Sequence, residues 1–275
     1  MGLQDLLKEA KAAEVADKSG NSLFLCLLGV SGAGKSHCVG TLGVKTLHLY
    51  FQAEKHGVKA AKKEGGDNVV PYCLDFANGK ELDADEVLTR LRKIMSTPEE
   101  LLENGFKAIF LDGLSELDVV IGNSKELKKK CLTKGGSVDG FRLSGETQKI
   151  ANGVVKLFLT VQRLTGIHVI TSCILDVSEF GDRNEILACS PKLSTYGLAS
   201  SLLQMYSDRI IISSQLKDDG TKVRVFDNMV DLVRVSKDDR GVTKKVMMFE
   251  PRLSSGEMPK LMRADLSKVV EIKNG

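Results

Sequence analysis

The sequence predicts an α/β fold with a mainly parallel sheet, and three features of the chain lead to this prediction. Short apolar runs recur along the first two thirds of the chain, as expected of strands that are buried on both faces of a sheet. Segments with helical periodicity alternate with these runs. A glycine-rich motif directly follows the first apolar run. Strands that alternate with helices are typical of α/β folds.

The predicted elements follow one another at regular intervals. The first is an amphipathic helix at 1–18, which Ser-Gly-Asn at 19–21 ends. The next elements in chain order are strand 23–28, strand 46–51, strand 69–74, helix 84–95, strand 108–111, helix 150–164 and strand 167–172. The segments 131–146 and 176–197 resemble loops, and we expect them to connect these elements and the later strands.

From about Asp208 the pattern changes to consecutive strands. They are predicted at 209–213, 222–226, 231–236 and 243–249. The sequence LKDDGT makes a good hairpin turn between the first two. We expect these antiparallel strands to extend the same sheet. The chain therefore divides into a helix at 1–20 that could serve oligomerisation, a core at 21–250 and a C-terminal tail at 251–275.

Composition argues against some classes of protein. The chain has 275 residues and is 42% hydrophobic, which is enough for a sizeable core. It has no apolar run of about 18 residues, so we expect no transmembrane helix. We also expect that the charged N-terminus is not a signal peptide. The net charge of +3 neither requires nor excludes nucleic acid. Six cysteines without a CxxC pair indicate reduced thiols in a cytoplasm (the host cytoplasm for a viral protein) rather than a metal site.

The residues GVSGAGKS, from Gly29 to Ser36, match the pattern G-x-x-x-x-G-K-S of a P-loop. In a P-loop the glycines let backbone N–H groups turn toward phosphate oxygens, the lysine reaches the β- and γ-phosphates, and the hydroxyl binds Mg²⁺. Lys35 and Ser36 occupy those last two positions. The alternative is a glycine-rich turn with an exposed lysine. We expect nine consecutive residues to contact the nucleotide: Gly29, Val30, Ser31, Gly32, Ala33, Gly34, Lys35, Ser36 and His37.

A second acidic group is expected on a neighbouring strand. The apolar run AIFL ends in Asp112, at the carboxyl end of a predicted strand. An aspartate there lies beside the P-loop and can hold Mg²⁺ through water, so we assign Ser36 and Asp112 to the metal. The alternative is that Asp112 caps the helix that starts at Gly113. Glu116, one turn further on, is expected at the surface or near the helix dipole.

A general base is also expected near the phosphates. The strand at 46–51 continues into QAEKHG, so Glu54 emerges at the carboxyl edge of the sheet. A carboxylate at this place can orient a water molecule for attack on the γ-phosphate. A solvated loop glutamate would give the same sequence, and the spacing alone does not decide between the two.

The chain resembles the RecA-like ATPases, and in particular the short, core-only RecA-like proteins that bacteriophages encode as single-strand annealing or recombination factors. The resemblance extends from Leu23 to Gly241 and rests on several segments in the same order. They are the P-loop GVSGAGKS, the strand LHLYFQAEKHG with its acidic residue and glycine, the strand AIFLDGLSEL, a long helix that leads into GIHVITSC, the segment PKLSTYGLASSLLQMYSDRIII, and VSKDDRG.

The resemblance implies a Mg²⁺-dependent ATPase with a RecA-like P-loop NTPase core, in which Glu54 is the catalytic carboxylate. Ser172 or Cys173 would lie at the strand end that senses the γ-phosphate, where relatives often carry a glutamine or a histidine. The segment 176–197 would match the region that RecA-like proteins present to single-stranded DNA. It offers two cations and two rings for this contact, which are Phe180, Arg183, Lys192 and Tyr196. An ordinary surface loop is the alternative, and three acidic residues weaken the DNA interpretation: Glu179, Asp182 and Glu185.

RecA-like ATPases bind nucleotide between protomers, so the resemblance also implies a homo-oligomer. Lys237 and Arg240, in VSKDDRG, would complete the nucleotide site of a neighbouring protomer and offset the charge on the transferred phosphoryl group. A hairpin turn with solvated charges is an equally good interpretation of these two residues. The apolar face of the helix at 1–18 could pack on a neighbouring protomer or on its own sheet.

The expected function is ATP hydrolysis by a protein that acts on single-stranded DNA in recombination, annealing, replication or repair. A helicase or a helicase loader is one alternative, although the chain is short for a replicative helicase and lacks a recognisable C-terminal lid with a sensor arginine. A nucleotide-dependent switch or assembly protein with little hydrolysis is another. Small-molecule kinases share the P-loop, but the late antiparallel strands do not suit them.

Overall fold

One main sheet organises the fold and carries helices on both of its faces. The computed structural model describes residues 18, 20–180, 186–194, 196–216, 221–227, 232–237, 243–249 and 264–274. The strands in these residues are β1 (Phe24–Gly29), β2 (Thr46–Tyr50), β3 (Val69–Cys73), β4 (Phe76–Ala77), β5 (Lys80–Glu81), β6 (Ala108–Asp112), β7 (His168–Phe180), β8 (Ile186–Pro191), β9 (Asp208–Leu216), β10 (Lys222–Asp227), β11 (Leu232–Lys237) and β12 (Thr243–Phe249). The helices are α1 (Lys35–Gly40), α2 (Lys55–Gly65), α3 (Ala84–Met95), α4 (Pro98–Glu103), α5 (Leu114–Asn123), α6 (Lys125–Lys130), α7 (Gly140–Thr165), α8 (Tyr196–Gln204) and α9 (Leu266–Asn274).

Seven strands lie side by side in the main sheet, in the order β10-β9-β1-β7-β6-β2-β3. Six of them run parallel, and β10 runs antiparallel to β9 at one edge. The strand β8 pairs in antiparallel fashion with the outer part of β7. The predicted α/β class, with a mainly parallel sheet plus antiparallel strands, is therefore confirmed.

The strand β1, which lies between β9 and β7, is buried on both faces, as its continuous apolar sequence predicts. Because side chains alternate along a strand, Phe24, Cys26 and Leu28 enter one core while Leu25 and Leu27 enter the other. The first core is covered by α3, α5, α7 and α8. The second is covered by α1 and α9. This double burial fixes β1 in the middle of the molecule and holds the end of the strand in place.

The sequence pattern predicts that the late strands form one antiparallel extension of the sheet. The structure shows a different arrangement. The strand β9 pairs with β1 and runs parallel to it, with Leu25 opposite Asp208. Only β10 continues the main sheet in the antiparallel sense, while β11 and β12 pair with each other in a separate hairpin. The difference arises because the connection through α8 carries the chain back across the sheet before β9 begins, which permits a parallel pairing.

Two segments that were expected to be loops contain regular structure. The helix α7 begins at Gly140 rather than near residue 150, because the Asp139 side chain caps it by accepting a hydrogen bond from the backbone N–H of Arg142. Two glycines in its first turns conceal the helical pattern in the sequence. In the segment 176–197, the strands β7 and β8 form an antiparallel pair with register shifts, and α8 begins at its end.

The two ends of the chain are only partly described. The helix predicted at 1–18 lies outside the described residues apart from Lys18, whose backbone N–H donates to the carbonyl of Arg163. At the other end, α9 buries Leu266 and Val269 in the second core. Within the described residues, no helix combines the length and the apolar content that crossing a membrane requires.

Replacing Phe158 by alanine should lower the free energy of unfolding by about 3–5 kcal/mol, because this ring on α7 is fully buried in the first core. Leu164→Ala, on the same helix at a side chain that is 48% exposed, is the matched control and should change stability by about 0.5 kcal/mol or less. Urea denaturation followed by circular dichroism measures both. Equal losses for the two variants would contradict the placement of α7.

Candidate functional site

The glycine-rich loop, Gly29–Ser36, joins β1 to α1 at the carboxyl edge of the sheet. Two of its glycines have left-handed backbone angles, with φ of 77° at Gly32 and 103° at Gly34, a conformation that other residues rarely adopt. A Cβ at Gly29 would lie 2.6 Å from the carbonyl oxygen of Ile212. These glycines are therefore required by the backbone path and by the close approach of β9.

Lys35 is folded into this loop rather than exposed. Its Nζ donates hydrogen bonds to the carbonyl oxygens of Gly29 at 2.8 Å and Val30 at 3.1 Å, and only 9% of the residue is exposed. Burial lowers the pKa of the Lys35 ammonium, while the nearby carboxylates of Asp112 and Glu54 act in the opposite direction. The alternative interpretation expected an exposed lysine at this position, and Lys35 is instead buried.

Asp112 is the most constrained polar group of the site. Its carboxylate is almost completely buried. The Ser36 hydroxyl donates to its Oδ2 at 2.6 Å, and the Ser172 hydroxyl donates to its Oδ1 at 2.8 Å. The His48 Nε2 lies 3.2 Å from Oδ2. Because His48 Nδ1 has no partner among the described residues, we assign the ring proton to Nε2, which then donates to the carboxylate.

The order and register of the strands bring these groups together. The strand β7 lies between β1 and β6, and Thr171 of β7 pairs with Leu111 of β6, so the next residues, Ser172 and Asp112, are neighbours. His48 is on β2, on the other side of β6. Sequence reasoning missed the contact between His48 and Asp112 and assigned Ser172 to a different role. The available signal was a polar residue inside each of two apolar runs, TLHLYF and IHVITS.

Asp112 does not cap the following helix. The N-cap of α5 is Gly113, which makes no side-chain capping hydrogen bond and has a φ of 111°. The backbone N–H of Gly113 donates instead to the Ser172 hydroxyl at 2.9 Å. Both oxygens of the Asp112 carboxylate therefore face the serine and histidine side chains, and the alternative interpretation of Asp112 as a helix cap is wrong.

Glu54 follows β2 at the end of a short 3₁₀ helix, Gln52–Glu54, and lines the same cleft as Lys35 and Asp112. Its side chain is half-buried. Burial raises the pKa of the Glu54 carboxyl, and so do the neighbouring carboxylates of Asp112 and Glu116, while Lys35 partly offsets these effects. The structure thus brings Glu54 into the site and does not place it in a solvated loop.

The helix α2 packs directly against the Ser36–Asp112 contact, and Gly57 makes this possible. A Cβ at Gly57 would lie 2.5 Å from the Ser36 hydroxyl oxygen and 2.7 Å from Asp112 Oδ2. Further along, a Cβ at Gly40 would lie 2.5 Å from a carbonyl oxygen of α2, so α1 and α2 are in backbone contact. Two glycines therefore set how closely α2 approaches the site.

The cleft has a volume of about 390 Å³, which is within the size range of small-molecule sites. One wall is the glycine-rich loop, and the opposite wall is the start of α2. Ile174 of β7 and Arg224 of β10 complete it. No local pattern assigns Arg224 to this site, because β10 is far from the loop along the chain.

Three other predicted site residues, Ser172, Cys173 and Lys192, lie near the cleft or on the strands behind it. Ser172 binds Asp112, and Cys173 is buried with its Sγ 3.7 Å from the Ser115 hydroxyl. Neither side chain lines the cleft, whereas Ile174 does. Lys192 is exposed beyond β8, and its backbone N–H donates to the Ile174 carbonyl at 2.8 Å.

The remaining predicted residues lie at the ends of strands and helices or outside the described residues. Phe180 ends β7 and Tyr196 begins α8. Lys237 is the last residue of β11. Arg183 and Arg240 lie outside the described residues. The roles of these five residues stay predictions.

The donors that could hold a divalent cation are Ser36 and Asp112. Within the described part of the chain, no three histidine, cysteine or acidic side chains converge as a complete protein metal site. This is compatible with Mg²⁺, which is commonly bound through one or two protein oxygens together with phosphate oxygens and water. A nucleotide would therefore have to supply part of the coordination.

Two comparisons of the sequence with known proteins find no match. No protein-family model matches it, and no curated protein matches its sequence at a significant level. The functional interpretation therefore rests on the geometry of the cleft and on the motifs in the sequence.

Glu54→Gln should stabilise the protein at neutral pH without nucleotide, because burial and the Asp112 carboxylate penalise the ionised form of Glu54. The pKa of Glu54 is raised in the folded state, so the contribution of Glu54 to wild-type stability is largest below its pKa in the unfolded chain. This contribution is lost as the pH rises through the folded-state pKa. The melting temperature of the variant should exceed that of wild type at pH 7 and converge with it near pH 4.

Thermal unfolding monitored by circular dichroism at several pH values measures this difference. Glu81→Gln, at an exposed position on β5, is the control and should show no comparable gap. A Glu54→Gln variant that is less stable than wild type at pH 7 would contradict the electrostatic environment described for this carboxylate.

Proposed function

We propose that the protein is a Mg²⁺-dependent ATPase with a RecA-like P-loop core that acts on single-stranded DNA. The observation that carries the ATPase part is the contact of the Ser36 hydroxyl with the buried Asp112 carboxylate at 2.6 Å, beside Lys35 and Glu54. A loop lysine, a hydroxyl, a strand-end carboxylate and a second carboxylate are the groups that phosphoryl transfer from ATP requires.

In this proposal the glycine-rich loop binds the phosphate groups through its backbone N–H groups. Lys35 contacts the β- and γ-phosphates once its Nζ exchanges the carbonyls of Gly29 and Val30 for phosphate oxygens. Ser36 and Asp112 hold Mg²⁺, which neutralises negative charge on the phosphate oxygens. Ser172 and His48 orient the Asp112 carboxylate for this purpose.

Glu54 orients the attacking water. Its raised pKa supports this role, because a carboxylate with a higher proton affinity is a better acceptor for the proton of the nucleophile. Its position also supports it: Glu54 follows β2, the strand next to β6, so the carboxylates of Glu54 and Asp112 reach the cleft from the ends of different strands.

The DNA part of the proposal is supported by a basic surface that the sequence interpretation did not single out. Residues 125–142, which we call the α6–α7 surface, contain six Lys and Arg residues and two acidic residues. Phe141 lies in this surface and is 92% exposed. Exposed rings next to cations are the elements that bind single-stranded nucleic acid, because bases stack on the ring while the cations contact phosphates.

The homo-oligomer is proposed on the resemblance to RecA-like ATPases. Lys237 and Arg240 would then act on the nucleotide of a neighbouring protomer, and the helix at 1–18 would contribute to the contact between protomers. A cation from a neighbour offsets charge that develops on the transferred phosphoryl group.

Wild-type protein should hydrolyse ATP only with Mg²⁺, and single-stranded DNA should stimulate the rate. Glu54→Gln should lower turnover about a hundredfold or more while ATP binding persists, because the general base is lost and the phosphate contacts remain. Lys35→Ala should lose binding and turnover together. Phosphate release and equilibrium binding of a fluorescent ATP analogue measure the two quantities, and Glu81→Gln is the control.

Two outcomes would contradict parts of this proposal. Negligible wild-type turnover with DNA present, together with retained ATP binding, would favour a nucleotide-dependent switch. Turnover that persists in Glu54→Gln would reject Glu54 as the base.

The α6–α7 surface should account for part of the DNA affinity. Replacing Lys128, Lys129 and Lys130 together by alanine should weaken binding and reduce the salt slope of log K by about 2, because each phosphate contact on a single strand contributes about 0.7. Phe141→Ala should weaken binding by about 1–3 kcal/mol with little change in the slope.

Fluorescence anisotropy of an oligo-dT at several salt concentrations measures affinity and slope. The matched control removes three exposed lysines from α2, namely Lys59, Lys62 and Lys63, and should leave both quantities near wild type. Lys192→Ala tests the segment 176–197 in the same assay. Equal effects of the two triple variants would indicate a non-specific charge effect and would contradict a DNA site at the α6–α7 surface.

A further inference from the structure

Arg224 lies where an edge strand meets the glycine-rich loop. Side chains alternate along β10, so Arg224 and Phe226 project from the same face of the strand. Phe226 is fully buried in the second core, together with Ala33 of the loop and Cys38 of α1. Arg224 is two residues closer to the carboxyl edge of the parallel strands, opposite Ser214 of β9. Its side chain therefore projects toward the loop.

The side chain of Arg224 covers Gly34. A Cβ at Gly34 would lie 2.1 Å from Arg224 Cδ and 2.2 Å from Arg224 Nε. The stem of the arginine thus occupies the space that a side chain at position 34 would need. Arg224 also lines the cleft, together with Lys35, Ser36 and Asp112. One side of the phosphate-binding loop is therefore formed by a guanidinium from the other end of the chain.

Arg224 is half-buried, and its guanidinium has no anionic partner within the described part of the chain. Among the described residues, no hydrogen bond or ion pair joins the Arg224 side chain to another group, whereas its backbone carbonyl accepts from the N–H of Ala264 at 2.9 Å. A half-buried guanidinium gains most from a bound anion, because charge-assisted hydrogen bonds to phosphate oxygens compensate its partial desolvation.

We propose that Arg224 binds the α- and β-phosphates of the nucleotide in cis, from the same chain as the glycine-rich loop. This inference rests on the proposed nucleotide site and adds a phosphate ligand to it. The α- and β-phosphates are the groups that the loop backbone cradles, and Arg224 lies on that backbone at Gly34. Lys35, in contrast, reaches the β- and γ-phosphates. Arg224 should therefore contribute equally to the affinity for ATP and for ADP.

The test measures equilibrium binding of ATP, ADP and inorganic tripolyphosphate to the full chain, by competition against a fluorescent ATP analogue. Arg224→Ala should weaken all three by about 10-fold or more, since hydrogen bonds to charged groups contribute about 1.5–3 kcal/mol. Arg224→Lys should recover part of the affinity and Arg224→Gln should not, because only lysine restores the charge. Arg92→Ala, at an exposed arginine of α3, should bind as wild type does.

Circular dichroism checks that each variant is folded, and Arg224→Lys and Arg224→Gln keep the test informative if the alanine variant does not fold. Wild-type affinities in Arg224→Gln, together with lost binding in Lys35→Ala, would overturn the role of Arg224 and leave the proposed nucleotide site intact. Weakened ATP binding with unchanged tripolyphosphate binding would overturn it too, because the arginine would then contact the base. If wild-type protein binds none of the three ligands, the proposed function itself fails.

Discussion

The hydrogen bond between Ser36 and Asp112 is the interaction on which the rest of the site depends. It joins two segments that are 76 residues apart in the chain and come from strands that are not neighbours in the sheet. A buried carboxylate is costly unless donors surround it. The hydroxyls of Ser36 and Ser172 supply those donors, with His48 on the far side. The site therefore requires that the carboxyl ends of β1, β7, β6 and β2 lie side by side at one edge of the sheet.

The same constraint explains why the fold places its polar groups at one edge. The interior of the sheet is apolar on both faces, and β1 in particular carries no polar side chain between its first residue and the loop. Two buried polar side chains inside other strands bind the same group: His48 and Ser172 both contact Asp112. Stability comes from the two apolar cores, while these few hydrogen bonds determine the geometry of the cleft.

Much of this arrangement was predictable from sequence, and the contacts that were not predictable have a common physical cause. Local patterns predicted the α/β class and the observed bounds of α3. They also predicted that Lys35, Ser36 and Asp112 lie close together, because the carboxyl ends of parallel strands meet at one edge of the sheet. The contacts of His48 and Arg224 depend on strand order and register, which no local pattern contains. The direction of β9 and the early start of α7 were missed for related reasons: a parallel pairing has no signature of its own, and glycines conceal a capped helix start.

Gly57 gives the molecule a mechanical property. Because the backbone of α2 lies against both oxygens of the Ser36–Asp112 contact, a ligand that separated those oxygens would meet the backbone of α2. The helix is in backbone contact with α1 at Gly40, and a short 3₁₀ helix, Gly66–Asn68, joins it to β3 at the edge of the sheet. Glu54 immediately precedes it in the chain. A ligand in the cleft would therefore act on the position of α2 and of the Glu54 carboxylate together.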